Sequence, residues 1–339
     1  MSTANASPPA QVDAAETERS GRFGSFMKKQ IQQSLAFATL VVMFIFFAIF
    51  APNFMSWQNV SGILMAVAVI GILALGTTFV IITAGIDLSI GTGMTLCAVM
   101  TGVFITNWGF PMWLGILGGL AMGALIGLVN GIGVVYLRLA PFIATLAMMM
   151  IAQGLALVIS GVKPIYFSTS APSFKQLALG TLIPGLPNAV LITIVVAIIA
   201  WVVLGKTVLG RYTFALGSNL EATRLSGVNT KRWLLTVYIF AGLFTGLAGV
   251  IMAARLDSAQ PQLGVGYELQ AIAAVVIGGT SLFGGRGSIV GTIIGALIMG
   301  TLINGLRVMS IQTEWQNVVL GIVIIIAVFF DSLRNRTST

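Results

Sequence analysis

Charged and polar residues divide the chain into long apolar runs. Residues 30–86 and 88–137 contain no charged residue. Each run is longer than the roughly 20 residues that one transmembrane helix needs. Polar breaks near 51–59 and 107–111 interrupt the two runs. The pattern therefore predicts two membrane spans from each run.

The same reasoning predicts ten spans in all, and hence an all-α polytopic membrane protein. We place them at 34–51, 60–83, 90–106, 112–136, 140–161, 188–205, 233–254, 268–284, 288–306 and 315–330, the last three being short. They form one transmembrane domain, 34–331, which contains a basic loop at 206–232. The polar segment 1–30 shows no apolar region with a cleavage site, so we expect a disordered cytoplasmic tail and no cleaved signal peptide.

The basic residues indicate the orientation, because they gather on the cytoplasmic side of membrane proteins. An even number of spans places both termini on one side. With a cytoplasmic N-terminus, all but four of the 17 basic residues face the cytoplasm. The four exceptions are Lys163, Lys175, Arg255 and Arg307. We therefore predict that both termini are cytoplasmic.

Composition excludes most soluble functions. Hydrophobic residues make up 57% of the chain and charged residues 8%, against about 25% charged residues in soluble domains. The chain has no histidine and one cysteine, Cys97, so a histidine base, an intrachain disulfide and a cysteine metal cluster are excluded. The net charge of +8 fits the cytoplasmic charge bias better than nucleic-acid binding. We expect no catalytic residue, cofactor site or metal site on this chain.

Two glycine-containing segments look like phosphate loops without matching them. The segment 278–287 reads GGTSLFGGRG, with Gly285-Arg286 where a phosphate loop needs Lys and Ser or Thr. At Gly205-Lys206-Thr207 the first glycine of the motif is replaced by Ala200. We predict that the glycines at 278–287 make a tight cytoplasmic turn and allow close helix packing. The chain then carries no ATP site of its own.

A short internal similarity links spans four and nine. Gly123-Ala-Leu-Ile126 recurs as Gly295-Ala-Leu-Ile298, and Asn130-Gly131 parallels Asn304-Gly305. The two spans run in opposite directions, so the similarity is either an inverted internal repeat, as many transporters have, or chance.

Asp87 is the main polar feature between spans two and three. It lies in Gly85-Ile86-Asp87-Leu88-Ser89-Ile90-Gly91. We interpret it either as a cap at the N-terminus of span three or as a polar element beside a conduction path. The spans themselves are nearly free of charge, and we take the lack of buried carboxylates as an argument against proton or sodium coupling.

The basic loop 206–232 predicts a short helix outside the bilayer. Ser218 and Glu221 have the spacing of a capping box. Residues 219–226 would form two helical turns, and Gly227 suits the C-terminal stop.

This short helix has both charged and apolar positions. Glu221 and Arg224 lie three residues apart on one face, and Leu220 and Leu225 offer apolar contacts. The helix either docks a cytoplasmic partner or only covers the bundle.

Several segments together resemble the permease subunits of bacterial sugar ABC importers of the ribose/xylose/arabinose/galactose type. They are TTFVIITAGIDLSIG at 77–91, PFIATLAMMM at 141–150, the segment 209–232, and the segment 254–300. The resemblance covers about residues 35–331. The last two segments look most like ribose permeases.

The resemblance implies a homodimer of ten-helix subunits in the bacterial inner membrane, around a central pathway. A separate cytoplasmic ATPase would supply two nucleotide-binding domains and bind ATP and Mg²⁺. A periplasmic sugar-binding protein would deliver the sugar to the outer loops, of which 162–187 and 255–268 are the largest. The coupling helix of this chain, which would dock on the ATPase, would comprise Asn219, Leu220, Glu221, Ala222, Thr223, Arg224, Leu225, Ser226 and Gly227.

The pathway and the sugar stay open at this point. Asp87, Ser89, Asn130 and Asn304 are candidate pathway or gate residues, although the two asparagines suit interhelical hydrogen bonds equally well. Ribose is the expected sugar, with xylose, another pentose, a hexose or an inositol-type polyol as alternatives. An ion-coupled secondary transporter and a passive channel are the alternative functions.

Overall fold

The structure, a computed structural model, describes residues 34–336, with side chains described as far as 333. It is built almost entirely of helices. The helices are α1 Ser34–Phe50, α2 Trp57–Ile82, α3 Ile90–Gly102, α4 Met112–Val135, α5 Pro141–Ser160, α6 Gln176–Leu179, α7 Asn188–Lys206, α8 Val208–Ser218, α9 Leu220–Leu225, α10 Thr230–Leu256, α11 Tyr267–Ile277, α12 Ile289–Val308 and α13 Thr313–Arg336. A π-helical turn, Val103–Asn107, extends α3, and β1 Ile165–Tyr166 pairs with β2 Ser258–Ala259. The predicted tail 1–30 lies outside the described residues.

The helices confirm the predicted fold class. Eight of the described helices are long and apolar enough to cross a membrane, and α1 and α11 are shorter apolar helices. These ten correspond one to one with the ten predicted spans. The cytoplasmic placement of the termini and the inverted repeat stay predictions.

Some predicted boundaries were wrong. Helix α11 ends at Ile277 instead of 284, because Gly279 adopts a φ of +92° and ends the helix. Helix α13 runs on to Arg336 with 24 residues, so the tenth span is not short. The loop 206–232 is also more helical than predicted, since α8 fills its first half.

Helix α2 forms the centre of the bundle. It packs against α7, α10, α11 and α12. Its side chains from Val67 to Ile82 are all buried. A helix that is apolar on every side is stable only where protein or lipid surrounds it, and here other helices surround most of α2.

Glycines bring α4 and α10 into backbone contact. A Cβ added at Gly123 would collide with the backbone of Gly242, and one added at Gly242 would collide with the carbonyl of Gly123. Gly295 is used in the same way, since a Cβ there would meet the carbonyl of Ala274 in α11. Small residues at such crossings are typical of membrane helix packing. Both copies of the Gly-Ala-Leu-Ile sequence therefore lie at a helix crossing.

The two largest loops on the side opposite α9 are joined. In the β1–β2 pair, Ile165 lies opposite Ala259 and Tyr166 opposite Ser258. Behind this pair the rings of Phe167 and Phe174 stack, with centroids 4.3 Å apart and both side chains buried. The segments 162–187 and 255–268 therefore form one folded unit.

Candidate functional site

The basic loop folds into two consecutive helices, α8 and α9, at one end of the bundle. Asn219 separates them with an extended backbone, and its Oδ1 accepts a hydrogen bond of 2.9 Å from the Ala222 amide. Asparagine is among the best N-terminal caps, since its side chain replaces a missing helical acceptor. At the other end Gly227 has a φ of +82°, which confirms it as the helix stop.

The predicted capping box is wrong. Ser218 is the last residue of α8 instead of the N-cap of α9, so the cap moves by one residue to Asn219. Glu221 therefore makes no reciprocal bond to a cap residue. Its Oε1 instead accepts from Nη2 of Arg224 at 2.6 Å, which confirms that these two side chains share a face.

Helix α9 rests on α8 by one side and leaves the other side free. Thr223 is buried and its Oγ1 donates to the carbonyl oxygen of Ala215 at 2.9 Å. Leu220 and Leu225 are 52% and 77% exposed, and the Glu221–Arg224 pair is exposed beside them. Both leucines therefore keep at least half of their surface uncovered within the described part of the chain. Together with the exposed ion pair, they form a mixed apolar and charged surface, which we call the surface Leu220–Leu225.

Three of the four candidate pathway residues form one buried polar cluster. Oδ1 of Asp87 accepts from the amide of Ser89 at 2.9 Å and from its hydroxyl at 2.6 Å. Nδ2 of Asn130, on α4, donates to Oγ of Ser89 at 2.8 Å and approaches Oδ2 of Asp87 at 3.4 Å. Asp87 thus bonds to the chain just before α3 and links it to α4. Asn130 therefore makes the expected hydrogen bond between α4 and the start of α3, and its role as a pathway or gate residue stays a prediction.

The segment that carries Asp87 is held from several sides. The hydroxyl of Thr145 donates to the Ile86 carbonyl at 3.1 Å and accepts from the Leu88 amide at 3.2 Å. Oη of Tyr238 and Oδ1 of Asn130 are buried and have no hydrogen-bond partner among the described residues. Burial of this connection between α2 and α3 raises the pKa of the Asp87 carboxyl, against the opposing effect of its bonds to Ser89 and Asn130.

Asn304 does not join this cluster. It lies near the C-terminal end of α12, and its Oδ1 is buried without a hydrogen-bond partner in the described part of the chain. The structure therefore gives Asn304 Oδ1 no interhelical hydrogen bond, and a pathway role for Asn304 stays a prediction.

Sequence reasoning missed buried carboxylates. The side chains of Asp87, Glu268 and Asp331 are all buried. Both carboxylate oxygens of Glu268 accept from the Gly266 amide at 3.1 Å, and Oδ2 of Asp331 accepts from the Leu282 amide at 3.0 Å. The expected lack of buried carboxylates is therefore wrong, and it does not count against ion coupling. All three residues lie at the ends of apolar runs, where the sequence pattern alone indicates a solvent boundary.

The glycine-rich segment after α11 is the predicted tight turn. Gly279, Gly284 and Gly285 have φ values of +92°, +84° and +71°, which favour glycine strongly. Gly278 and Gly291 also bring this segment into backbone contact with α12. The segment lies at the same end of the bundle as α9, because a Cβ on Gly285 would lie 2.8 Å from Oγ of Ser218.

The fold defines a multi-pass membrane protein. Residues 59–328 match the family model described as the branched-chain amino acid transport system permease component. The chain therefore belongs to this family of transport-system permeases. The match and the eight long apolar helices together confirm a multi-pass protein of the bacterial inner membrane.

Individual relatives are similar over almost their full length. The chain is 42% identical over 311 residues to the ribose import permease protein RbsC of Escherichia coli, covering 91% of this chain and 96% of that protein. It is 43% identical over 299 residues to RbsC of Bacillus subtilis, covering 88% and 92%. It is 37% identical over 301 residues to the D-allose transport system permease protein AlsC of Escherichia coli, covering 88% and 91%. No solved structure matches this chain.

Proposed function

We propose that this chain is the permease subunit of an ATP-binding-cassette importer that translocates a monosaccharide, with ribose as its sugar. The observation that carries the proposal is the similarity to ribose import permeases at 42% and 43% identity over about nine-tenths of the chain. The named relatives also transport allose, and others transport fructose and L-arabinose. A neutral monosaccharide is common to all of them.

The surface Leu220–Leu225 is the proposed contact with a separate ATPase subunit that binds ATP and Mg²⁺. Its exposed leucines would be buried by a partner, while the Glu221–Arg224 pair at the rim would favour the correct orientation. The cap at Asn219 and the buried Thr223 fix α9 on α8, so a push on α9 would be passed to the bundle. The chain itself would carry no cofactor and no catalytic residue.

The remaining partners follow the same proposal. The joined loops 162–187 and 255–268 would receive a periplasmic sugar-binding protein, on the side opposite α9. A second copy of this chain would complete the pathway. In this dimer the Asp87–Ser89–Asn130 cluster would act as a gate element and Asn304 as a lining residue.

One structural observation favours a second candidate. Buried carboxylates such as Asp87 and Glu268 are typical of ion-coupled secondary transporters.

The experiment that separates the two functions is uptake of radiolabelled ribose into proteoliposomes. The proteoliposomes contain this chain with its ATPase, the binding protein is outside and ATP is inside. We expect uptake that needs both ATP and the binding protein. Uptake driven by a proton or sodium gradient without ATP would replace the importer by the secondary transporter.

The sugar and the energy source are tested separately. Unlabelled ribose, xylose, allose, fructose, arabinose and inositol are added as competitors in the same assay. We expect ribose to compete best. Stronger competition by another sugar would change the substrate and leave the ATP-driven mechanism intact, whereas flux without ATP or an ion gradient would indicate a passive channel.

A further inference from the structure

The segment 281–287, which we call the glycine turn, is held by its own backbone. The amide of Ser281 donates to the Arg286 carbonyl at 3.1 Å, and the amide of Gly284 donates back to the Ser281 carbonyl at 3.1 Å. The positive φ values of Gly284 and Gly285 close the turn. The turn is therefore a fixed shape and not an open loop.

Two helices from different parts of the chain anchor this turn. The Gly285 amide donates to the carbonyl of Ile82, the last residue of α2, at 2.9 Å. From the other side, Oδ2 of Asp331 in α13 accepts from the Leu282 amide at 3.0 Å and from Oγ of Ser281 at 3.3 Å. Because Asp331 is buried, these bonds are shielded from water and hold the turn firmly.

This anchored turn exposes an aromatic side chain. Phe283 is 59% exposed, and Arg286 is exposed on the same turn. A large exposed apolar side chain on a fixed backbone is typical of a binding anchor, since that backbone needs no further ordering when a partner binds.

The turn lies directly beside the surface Leu220–Leu225. A Cβ on Gly284 would lie 2.8 Å from the carbonyl oxygen of Gly217, and one on Gly285 would lie 2.8 Å from Oγ of Ser218. Ser218 is two residues before Leu220, the first residue of α9. The turn that carries the exposed Phe283 therefore adjoins the start of α9, which carries the exposed Leu220 and Leu225.

We propose that the glycine turn is a second docking element for the ATPase subunit, with Phe283 as its apolar anchor. This proposal rests on the proposed function, in which α9 is the first docking element. Because the glycine turn adjoins α9, the ATPase subunit that docks on α9 would also contact the turn. The hydrogen bonds to Ile82 and Asp331 would carry the motion of the bound ATPase to the ends of α2 and α13, two helices that α9 alone does not hold.

Cysteine labelling tests the contact with little change to the surface. The only native cysteine, Cys97, is fully buried, so an introduced thiol is the only accessible one. The variants are F283C, L225C on α9, and L182C as a control, because Leu182 is 83% exposed in a loop at the opposite end of the bundle. Each is labelled with a polar maleimide in nanodiscs, with and without the ATPase subunit.

We expect the ATPase to slow labelling of F283C and L225C at least tenfold and to leave L182C unchanged. Equal labelling of F283C with and without ATPase, while L225C is protected, would overturn this proposal and leave the proposed function intact. Failure to label F283C even without ATPase would place the ring in lipid and also overturn it. If L225C is not protected either, the ATPase does not dock on α9. That result would contradict the proposed function itself, at its contact with the ATPase.

A second measurement checks the energetic role. Phe283→Asp should weaken binding of the ATPase to the nanodisc-held permease at least tenfold, whereas Phe283→Leu keeps an apolar anchor and should bind within about twofold of the wild type. Leu182→Asp is the matched control and should not change binding. Wild-type binding by Phe283→Asp would contradict the anchor role, provided its melting temperature equals that of the wild type.

Discussion

The hydroxyl of Ser89 donates a hydrogen bond of 2.6 Å to Oδ1 of Asp87, an oxygen that also accepts from the Ser89 amide at 2.9 Å. Both side chains are buried, and Asn130 from α4 donates to the same pair. Because the described residues give Asp87 no salt bridge, these donors alone stabilise its carboxyl group. The connection from α2 to α3 is thereby fixed to α4 by one small polar cluster.

Asp87→Ala removes the acceptor for several buried donors at once. A buried donor left without a partner costs about 1–3 kcal/mol, so we expect a clear fall in the melting temperature of the purified protein. Asp87→Asn retains one acceptor oxygen and should lie between Ala and the wild type. Glu314→Ala removes an exposed carboxylate and serves as the control. A wild-type melting temperature for Asp87→Ala would show that the cluster contributes nothing to stability.

The sequence predicts the spans well and the polar cluster only in part. A membrane helix needs an unbroken apolar stretch, so the runs around α2 and α4 are visible without a structure. Asp87 and Ser89 are neighbours in sequence, whereas the approach of Asn130 depends on the crossing of α4 with its neighbours. That crossing depends on glycine contacts, such as Gly123 against Gly242, which a single sequence does not reveal.

Helix ends limit prediction for a related reason. Ser218 and Asn219 are both good caps, and the choice between them depends on how far α8 continues. Asp331 looks like a solvent boundary after an apolar run, but the glycine turn folds over it and supplies donors from Ser281 and Leu282. Tertiary contacts of this kind decide burial, and no local pattern encodes them.

Gly217 should not tolerate a side chain, although it lies within a helix. A Cβ there would collide with the carbonyl of Ile82 and lie 2.7 Å from the Gly285 amide nitrogen. Overpacking of this kind costs about 1–3 kcal/mol, so Gly217→Ala should lower the melting temperature and ATP-driven uptake together. Gly205→Ala is the matched control, since its Cβ would meet nothing within 4 Å. Equal behaviour of the two variants would contradict close packing of α8 on the glycine turn.

Asn219→Ala should loosen α9 without unfolding the protein. Loss of an N-cap costs about 1 kcal/mol, and α9 has only six residues to share that loss. We expect faster hydrogen exchange of the α9 amides, measured by mass spectrometry, together with reduced uptake, whereas Asn219→Asp should preserve both.

The control for this experiment removes the same chemical group elsewhere. Oδ1 of Asn229 caps the long helix α10 by accepting from the Arg232 amide at 3.0 Å. Asn229→Ala should therefore leave exchange in α9 unchanged. Fast α9 exchange in both variants would mean that the effect of Asn219→Ala is not local to its cap.

Glu221→Lys should uncouple ATP hydrolysis from uptake while leaving stability nearly unchanged. Exposed ion pairs contribute about 0–1 kcal/mol, so loss of the bond to Arg224 is a minor effect on folding. The major effect is a reversed charge on the proposed docking surface. The measurement compares ATPase rate and sugar uptake in the same proteoliposomes, and normal uptake by this variant would count against docking through α9.

The charge-swapped variant E221R/R224E separates the two roles of this pair. It restores an ion pair within α9 but reverses both charges that a partner would contact. If the pair acts only inside the helix, the swap should restore uptake to the wild-type rate. We expect no such rescue, because a docking surface depends on which charge lies at which position, and the swap leaves both in the wrong place.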